Sequence, residues 1–584
     1  MDRQTAVRHN YRPDIDGLRA VAVIAVIAFH LGFLPGGYFG VDVFFVISGY
    51  LITGIITEEL AKGTFSLRDF YLRRIRRIIP LTLFVSTLTL LVGMVGMLPD
   101  DLENLAQSVF ATNAFANNVL QAITTKDYWD VVNEYKPLMH TWSLGIEEQY
   151  YFIYPLLMLG LFKAGRKYTL PVLLLLSVAS LALNQLPIQA FFMFYWMPFR
   201  FYELALGGLV AVAQRQPVAL QMLKPVFLAG LVALLSIRPQ WLDTRLAQPL
   251  VVVLTAGLLA RGMHRVTLAE RLLQNRIVVG IGLISFSLYM WHQPVLAFTR
   301  YYLTDVFTAP VVAAMCLVIF GLSVGSYFLV EKPFRNRQRI GTRKLLMSAA
   351  GVYAVLMPLS FLIHWQGGVI RDVPELQITK KNATRGIHAR YNHAVHQFDR
   401  PFAEDGRVKV LVIGNSFARD WVNVLLAAPQ APRMDISYVE EPFSNPDMAR
   451  RVAQADRIYV SEAKKGTVEA LNLPLSKLRV VGTKSFGVSN GRFYNHRGSD
   501  YCAQRTLMKP GVLLANAQAR EVWDADYVDI IARLVDANGK VPVFTPDCLF
   551  ISQDTRHLTP AGAGYVSQLF EPDIRLLAAL RESR

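Results

Sequence analysis

The chain has 584 residues, 53% of them apolar and only 18% charged, with a mean hydropathy of +0.31. Soluble domains carry about 25% charged residues, so this composition excludes disorder, fibrous rods and a wholly soluble enzyme, and the length calls for two or more domains. The net charge of +16 fits the one-sided basic excess of membrane proteins better than nucleic-acid binding. Three cysteines supply neither a disulfide scaffold nor a zinc-ligand spacing.

In chain order, apolar segments recur at about 18–34, 38–57, 78–98, 138–162, 169–186, 191–213, 225–237, 248–262, 276–298, 309–330 and 345–364. A spanning helix needs ~20 mostly apolar residues, so eleven spans are expected. The segments at 78–98 and 169–186 contain no charge. Those at 138–162 and 191–213 carry Glu147, Glu148, Arg200 and Glu203, which in lipid must face the bundle interior or an aqueous cavity. One set of alternating loops holds twenty-four Lys and Arg, the other only Lys126, Lys136, Arg238, Arg245 and Arg300. That asymmetry predicts a cytoplasmic N-terminus and puts everything after 364 on the far side. No small-residue cleavage site follows the first apolar stretch, so it reads as a span and not a leader.

His30 falls in the first span. A lone histidine on an apolar face is more often structural, yet intramembrane ionisable groups are functional candidates. Arg19 stands eleven residues earlier, about three turns, which predicts one helix face and a separation of roughly 16 Å. The cluster Arg73, Arg74, Arg76, Arg77 suits either topology anchoring or a grip on a polyanionic donor.

Beyond Gly367-Gly368 the pattern changes. A polar linker to about 407 precedes Val408–Ile413, a buried-strand pattern that runs into Gly414-Asn415-Ser416 and a helix. Leu478–Val481 and Val541–Phe544 are further strand candidates, and Tyr527–Val535 has helical periodicity. Strands alternating with helices predict a parallel α/β domain. The basic pairs Arg450-Arg451 and Lys464-Lys465 read as solvated surface. A hydroxyl just past a strand lies where open α/β sheets bind ligands. Near the chain end stands Asp554-Thr-Arg-His557, so Ser416 as nucleophile, His557 as base and Asp554 as orienter complete a triad. Either element alone is commonly a helix cap or a surface pair; their joint occurrence in one α/β domain favours catalysis.

The soluble half resembles the SGNH (GDSL-type) hydrolases through Gly414-Asn415-Ser416 and Asp554-x-x-His557. The resemblance implies acyl chemistry on Ser416, with Gly482 and Asn490 in the stretch 480–490 as oxyanion-hole donors. Cys502 and Cys548 are expected in an oxidising compartment, either paired or as separate thiols. The membrane half resembles the acyltransferase-3 family through Asp14-Ile-Asp-Gly-Leu-Arg-Ala20, the Arg19 and His30 pairing, Gly40–Gly49, Phe70–Arg77, Trp142–Gln149, Ser285–His292 and Glu331–Arg335. It implies ten core spans, acetyl-CoA as donor and no bound cofactor or metal. It further implies roles for His30, for Arg19, Arg73, Arg74 and Arg77 toward the donor, and for Asp16, Asp42, Glu147, Arg200, Glu203, Tyr289 and His292 in support.

The expected architecture is a polytopic α-helical membrane bundle over 1–340, a linking span and linker over 341–407, and a three-layer, flavodoxin-like SGNH domain over 408–584. The expected function is an inner-membrane O-acetyltransferase acting on a surface polysaccharide or lipid-linked glycan, with lipopolysaccharide O-antigen as the named acceptor, and with no nucleic-acid partner. Two other readings stay open: a membrane-anchored esterase, and a transporter or flippase that uses buried Asp42, Glu203 and His30.

Overall fold

The computed structural model describes residues 11–124, 131–186, 194–213, 218–237, 243–260, 266–383, 387–461, 463, 465–487, 489–508 and 510–581. Of the basic residues used for topology, Arg3, Arg8, Lys126, Arg215, Arg238, Arg261 and Arg265 lie outside the described residues, as does Lys464. The chain divides into two units: residues 1–95 with 105–361, and residues 96–104 with 362–584.

The first unit is helical. Among the described residues, five helices are long and apolar enough to cross a membrane: Gly37–Ala61, Leu67–Gly96, Arg166–Asn184, Ala309–Arg335 and Thr342–Trp365. The other expected spans are shorter helices or carry charge, among them Pro13–His30, Trp142–Ala164, Met197–Val212, Lys224–Ser236 and Thr244–Leu259. The segment expected at 276–298 is two helices, Arg276–Leu283 and Ser285–Tyr302. The helix Met197–Val212 holds its charges inside the unit because it packs unusually close to the helix Gly40–Ala61. A Cβ at Gly49 would stand 1.8 Å from the Leu204 carbonyl oxygen, and one at Gly207 would stand 2.0 Å from that of Val46. Small residues at such a seam let two backbones touch. Arg76 is buried too, and its guanidinium donates to the Phe334 and Ile340 carbonyls and to Thr342 Oγ1. It therefore fastens the turn before the helix Thr342–Trp365. That helix ends where Gly367 and Gly368 take φ of +61° and +72°, and a Cβ on Gly368 would collide with the Pro99 carbonyl.

The second unit is α/β. Strands β1 (Val408–Ile413), β2 (Met434–Val439), β3 (Arg457–Ser461), β4 (Leu478–Val481), β5 (Arg505–Leu507), β6 (Tyr527–Val528) and β7 (Lys540–Pro542) follow in chain order. The main sheet runs β2-β1-β3-β4-β6 and is parallel throughout. All six residues of β1 are buried. Val408, Val410 and Val412 join the core with Trp421, Val422 and Val566, while Leu411 and Ile413 join that with Met448 and Val468. Period-two alternation between two apolar layers puts helices on both faces and makes three layers.

Several local expectations are corrected here. Tyr527 and Val528 form the edge strand beside β4, and only Ile530–Leu534 is helical. Val541 pairs antiparallel with Thr506, outside the main sheet. Arg451 is not solvated surface: it is buried, with Asp399 at 2.7 Å and the Tyr438 carbonyl at 3.3 Å. The linker is packed structure, with Val369, Val373, Leu376 and Ile378 in one cluster with Leu98, Phe544 and Phe550. Cys502 and Cys548 form a disulfide.

Candidate active site

In the soluble unit β1 delivers the chain to Gly414, where φ is +131° and a Cβ would stand 2.3 Å from Ser461 Oγ. Only glycine makes that turn cleanly. Asn415 then caps the helix Ser416–Leu426 by accepting the Phe417 N–H at 3.0 Å, so Ser416 begins the helix. His557 Nε2 lies 2.8 Å from Ser416 Oγ, and His557 Nδ1 lies 2.6 Å from Asp554 Oδ2. The carboxylate can only accept, so Nδ1 carries a proton and Nε2 faces the hydroxyl as the base of a triad.

Asp554 and His557 do not face each other across a helical turn. A bend does it, with Thr555 at φ +68°, and Asp554 Oδ1 accepts the backbone N–H of both His557 and Arg556. Burial raises the Asp554 carboxyl, but the bond to His557, its charge and those two N–H groups outweigh it and hold the pKa at about 2. The 96–104 segment brings Asp100 beside this group. Burial, and then the charges of Asp101, Asp554 and Glu103, push the Asp100 carboxyl well above the usual carboxylate range.

A second set of side chains fixes the triad. Asp420 is 1% exposed. It pairs with Lys484 at 2.8 Å, accepts the Leu558 N–H at 3.2 Å, and accepts Asn392 Nδ2 at 2.8 Å. Asn392 Nδ2 also donates to the Ser416 carbonyl, so one buried carboxylate ties the nucleophile's turn to the residue after the base. The Phe417 ring stacks on His557, with Lys484 Nζ 3.8 Å from its centroid. Sequence spacing gave no signal for this group, whose members are remote in the chain.

The two expected oxyanion donors are occupied elsewhere. The Gly482 N–H bonds to the Val528 carbonyl, a sheet contact, and Asn490 Nδ2 donates to the Ser552 and Gln553 carbonyls. Beside Ser416 stand its own N–H in the first helical turn and the exposed Asn415 amide, whose oxygen already caps the helix.

In the membrane unit Arg19, Arg74 and Arg77 line one narrow cleft of about 80 Å³ with Ser48, Glu147, Tyr151, Ser143 and Tyr289. Arg73 is not in its lining; it pairs with Glu59 at 2.9 Å on the surface. Asp16 holds Arg19 at 3.1 Å. His30 is the last residue of its helix and lines a different cavity of about 230 Å³, with His140, Gln293, Glu134 and Arg300. Arg19 and His30 thus share a helix but open into separate spaces. Between them stand Tyr289, bonded to Ser143 Oγ and the His140 carbonyl, and His292. The His292 ring lies 5.2 Å from His30 and 4.9 Å from His140. Nδ1 of His30 donates to the Val26 carbonyl at 3.0 Å and Nδ1 of His292 to the Tyr289 carbonyl at 2.6 Å, which leaves each Nε2 as the lone-pair nitrogen. His140, which the sequence reading passed over, is 3% exposed with neither ring nitrogen in an aligned hydrogen bond among the described residues. Its only sequence signal is its place two residues before the Trp142–Gln149 motif.

Asp42, Arg200 and Glu203 form a separate buried network with Gln248: Arg200 pairs with Asp42 at 3.1 Å and with Glu203 at 2.6 Å, and Gln248 donates to both acids.

The sequence profile of the acyltransferase domain matches residues 12–330. The chain belongs to the acyltransferase-3 family. The chain is 30% identical over 362 residues to the peptidoglycan O-acetyltransferase OatA of Listeria monocytogenes, covering 58% of each chain. It is 29% identical over 355 residues to the O-acetyltransferase OatA of Staphylococcus aureus, covering 56% of this chain and 58% of that one. The chain therefore spans under two thirds of the length of these relatives. No solved structure gives a significant match.

Proposed function

We propose that the chain is a membrane O-acetyltransferase that carries an acetyl group from acetyl-CoA on the cytoplasmic side to a hydroxyl of a bacterial cell-surface glycan on the other. The observation that carries this reading is the pairing, in one chain, of an acyltransferase domain over residues 12–330 with a triad whose contacts are 2.8 and 2.6 Å. Neither half needs the other unless a group passes between them.

The Arg19, Arg74 and Arg77 cleft is too narrow for a nucleotide but suits the thioester arm, and the arginines suit the pyrophosphate where that arm joins the nucleotide, through charge-assisted bonds. His30 acts through Nε2 as general base or as transient acyl carrier; either way the thioester C–S bond breaks and CoA leaves as the thiol on the cytoplasmic side. In the soluble unit, Ser416 Oγ attacks the acetyl carbonyl as His557 Nε2 takes its proton. The bond between the acetyl group and the carrier that brought it across the membrane breaks, and that proton goes to the carrier's leaving atom. A sugar hydroxyl next attacks acetyl-Ser416, His557 takes its proton, and Ser416 leaves reprotonated. Asp554 keeps the imidazole oriented throughout.

The sequence reading names lipopolysaccharide O-antigen as acceptor, whereas the Listeria relative's name carries peptidoglycan; the acceptor proposed here is the coarser class, a surface glycan. The transporter reading is disfavoured because Asp42, Glu203 and Arg200 satisfy one another and Gln248. The esterase reading is separated by donor dependence. Mass analysis of surface glycans from cells with and without the gene is the test: loss of one acetyl per modified sugar supports transfer, and a gain of acetyl groups supports the esterase.

A further inference from the structure

The soluble unit has a second cavity that the triad does not use. It measures about 380 Å³, within the range of roughly 300–1,000 Å³ common for small-ligand pockets. Its lining includes Arg457, the first residue of β3, Tyr459 two residues on, and Arg479 of β4. Residues two apart on a strand share a face, and Arg479 stands in register with Tyr459. This is the amino end of a parallel sheet, whereas Ser416 lies past the carboxyl end of β1. Trp421 closes the cavity from the nucleophile's own helix, with its ring 5.5 Å from Tyr459 and 5.4 Å from Phe570.

Two donors here are left without acceptors, while the carboxylates of the lining are held by other groups, Asp573 by Arg533 and Asp529 by Arg520 and Asn516. Trp421 is 3% exposed, and its Nε1–H has no hydrogen-bond partner among the described residues. Arg457 Nη1 is buried and likewise unpartnered. The neighbouring arginines differ: Arg479 is held by Asp526 at 2.7 Å and Arg533 by Asp573 at 3.2 Å. Burial, and then the positive charge of Arg479, push the Arg457 pKa down, as expected of a cation short of counter-charge. Buried donors with no acceptor are costly to keep, and here a cation and an indole N–H line the same space beside apolar Phe570 and Leu577. That combination fits an anion attached to a body with apolar faces, which is the chemistry of an acidic sugar.

We propose that this cavity is a second glycan-binding site that takes a carboxylate-bearing sugar, with Arg457 and Trp421 Nε1–H on the carboxylate and Tyr459 and Phe570 against the ring. The sugar bound here does not react; it holds a neighbouring stretch of the polymer while another residue meets Ser416. The assignment rests on the reading that the acceptor is a glycan, but its test does not use acetylation. Full-length protein in detergent is titrated with D-glucuronate, N-acetylglucosamine and inorganic phosphate by ligand-observed NMR. Glucuronate should bind and the neutral sugar should not. Arg457→Ala should weaken glucuronate at least ten-fold, Arg457→Lys should restore part of it, and Tyr459→Leu, which removes the ring, should weaken it a few-fold. Hydrolysis of a small activated ester at Ser416 should be unchanged in all three, which also shows that they fold. Equal glucuronate affinity in wild type and Arg457→Ala overturns the proposal, as does no binding at all. Binding of phosphate without glucuronate makes this a phosphate site and overturns the sugar assignment. Arg457-dependent glucuronate binding by a protein that acetylates no glycan would keep the site and remove the transferase reading.

Discussion

The two candidate sites orient an imidazole by opposite means. In the soluble unit His557 is 34% exposed on its side chain and takes its orientation from a carboxylate three residues away. In the membrane unit His30 and His292 take theirs from backbone carbonyls of their own helices. A buried carboxylate partner carries a desolvation cost that can exceed its attraction, whereas a helix carbonyl is neutral and already in place. The membrane site therefore fixes tautomers through the backbone, with Arg19, Arg74 and Arg77 in a separate cleft and Glu134 and Arg300 lining the His30 cavity. An ion pair orients His557, and the backbone orients His30 and His292.

The largest effect should come from the soluble triad. Ser416→Ala, His557→Ala and the double mutant should each lower glycan acetylation by more than about a thousand-fold and look alike, because the members act as one unit. Glycan mass analysis reads this, and full acetylation by Ser416→Ala would mean that the membrane unit reaches the acceptor directly. Next, His30→Ala should cut acetylation by about a hundred-fold or more, the usual worth of a general base, while ester hydrolysis at Ser416 stays at the wild-type rate. Equal loss of both activities would instead point to misfolding.

The arginines sharpen the contrast within the membrane unit. Arg74→Ala should weaken acetyl-CoA binding by about ten-fold, in keeping with a lost charge-assisted bond. Arg73→Ala should change it less than about two-fold, since its surface pair with Glu59 contributes little. Calorimetric titration of both mutants decides it, and equal effects would dissolve the distinction between cleft and surface.

The smallest effect concerns pH. Asp554 has a folded pKa of about 2, below the value near 3.9 expected unfolded. Its stabilising contribution is complete above pH ~4 and is lost as pH falls through about 2. The gap in unfolding midpoint between wild type and Asp554→Asn should therefore be constant at neutral pH and shrink between pH 4 and 2. A flat gap would show that the pair with His557 orients without stabilising.

Sequence alone determined what short-range chemistry encodes. Long apolar runs, the Gly414-Asn415-Ser416 turn after a buried strand, and Asp554 and His557 three apart are each read within a few residues. Their physical causes (lipid solvation, positive φ, local hydrogen bonds) act over that same range. The tertiary structure decided whatever depends on meeting remote chain. It placed Arg19 and His30 in different cavities although one helix carries both, and it set His140 against His292 across two helices. It spent the Gly482 N–H and the Asn490 amide on sheet and loop carbonyls, where sequence offered them to an oxyanion. Arg451 reads as a surface charge in the sequence, yet it is buried and Asp399, remote in the chain, pairs with it. Composition records that a charge exists; only packing decides whether its partner is water or another side chain, because that choice is made by segments far apart in the sequence.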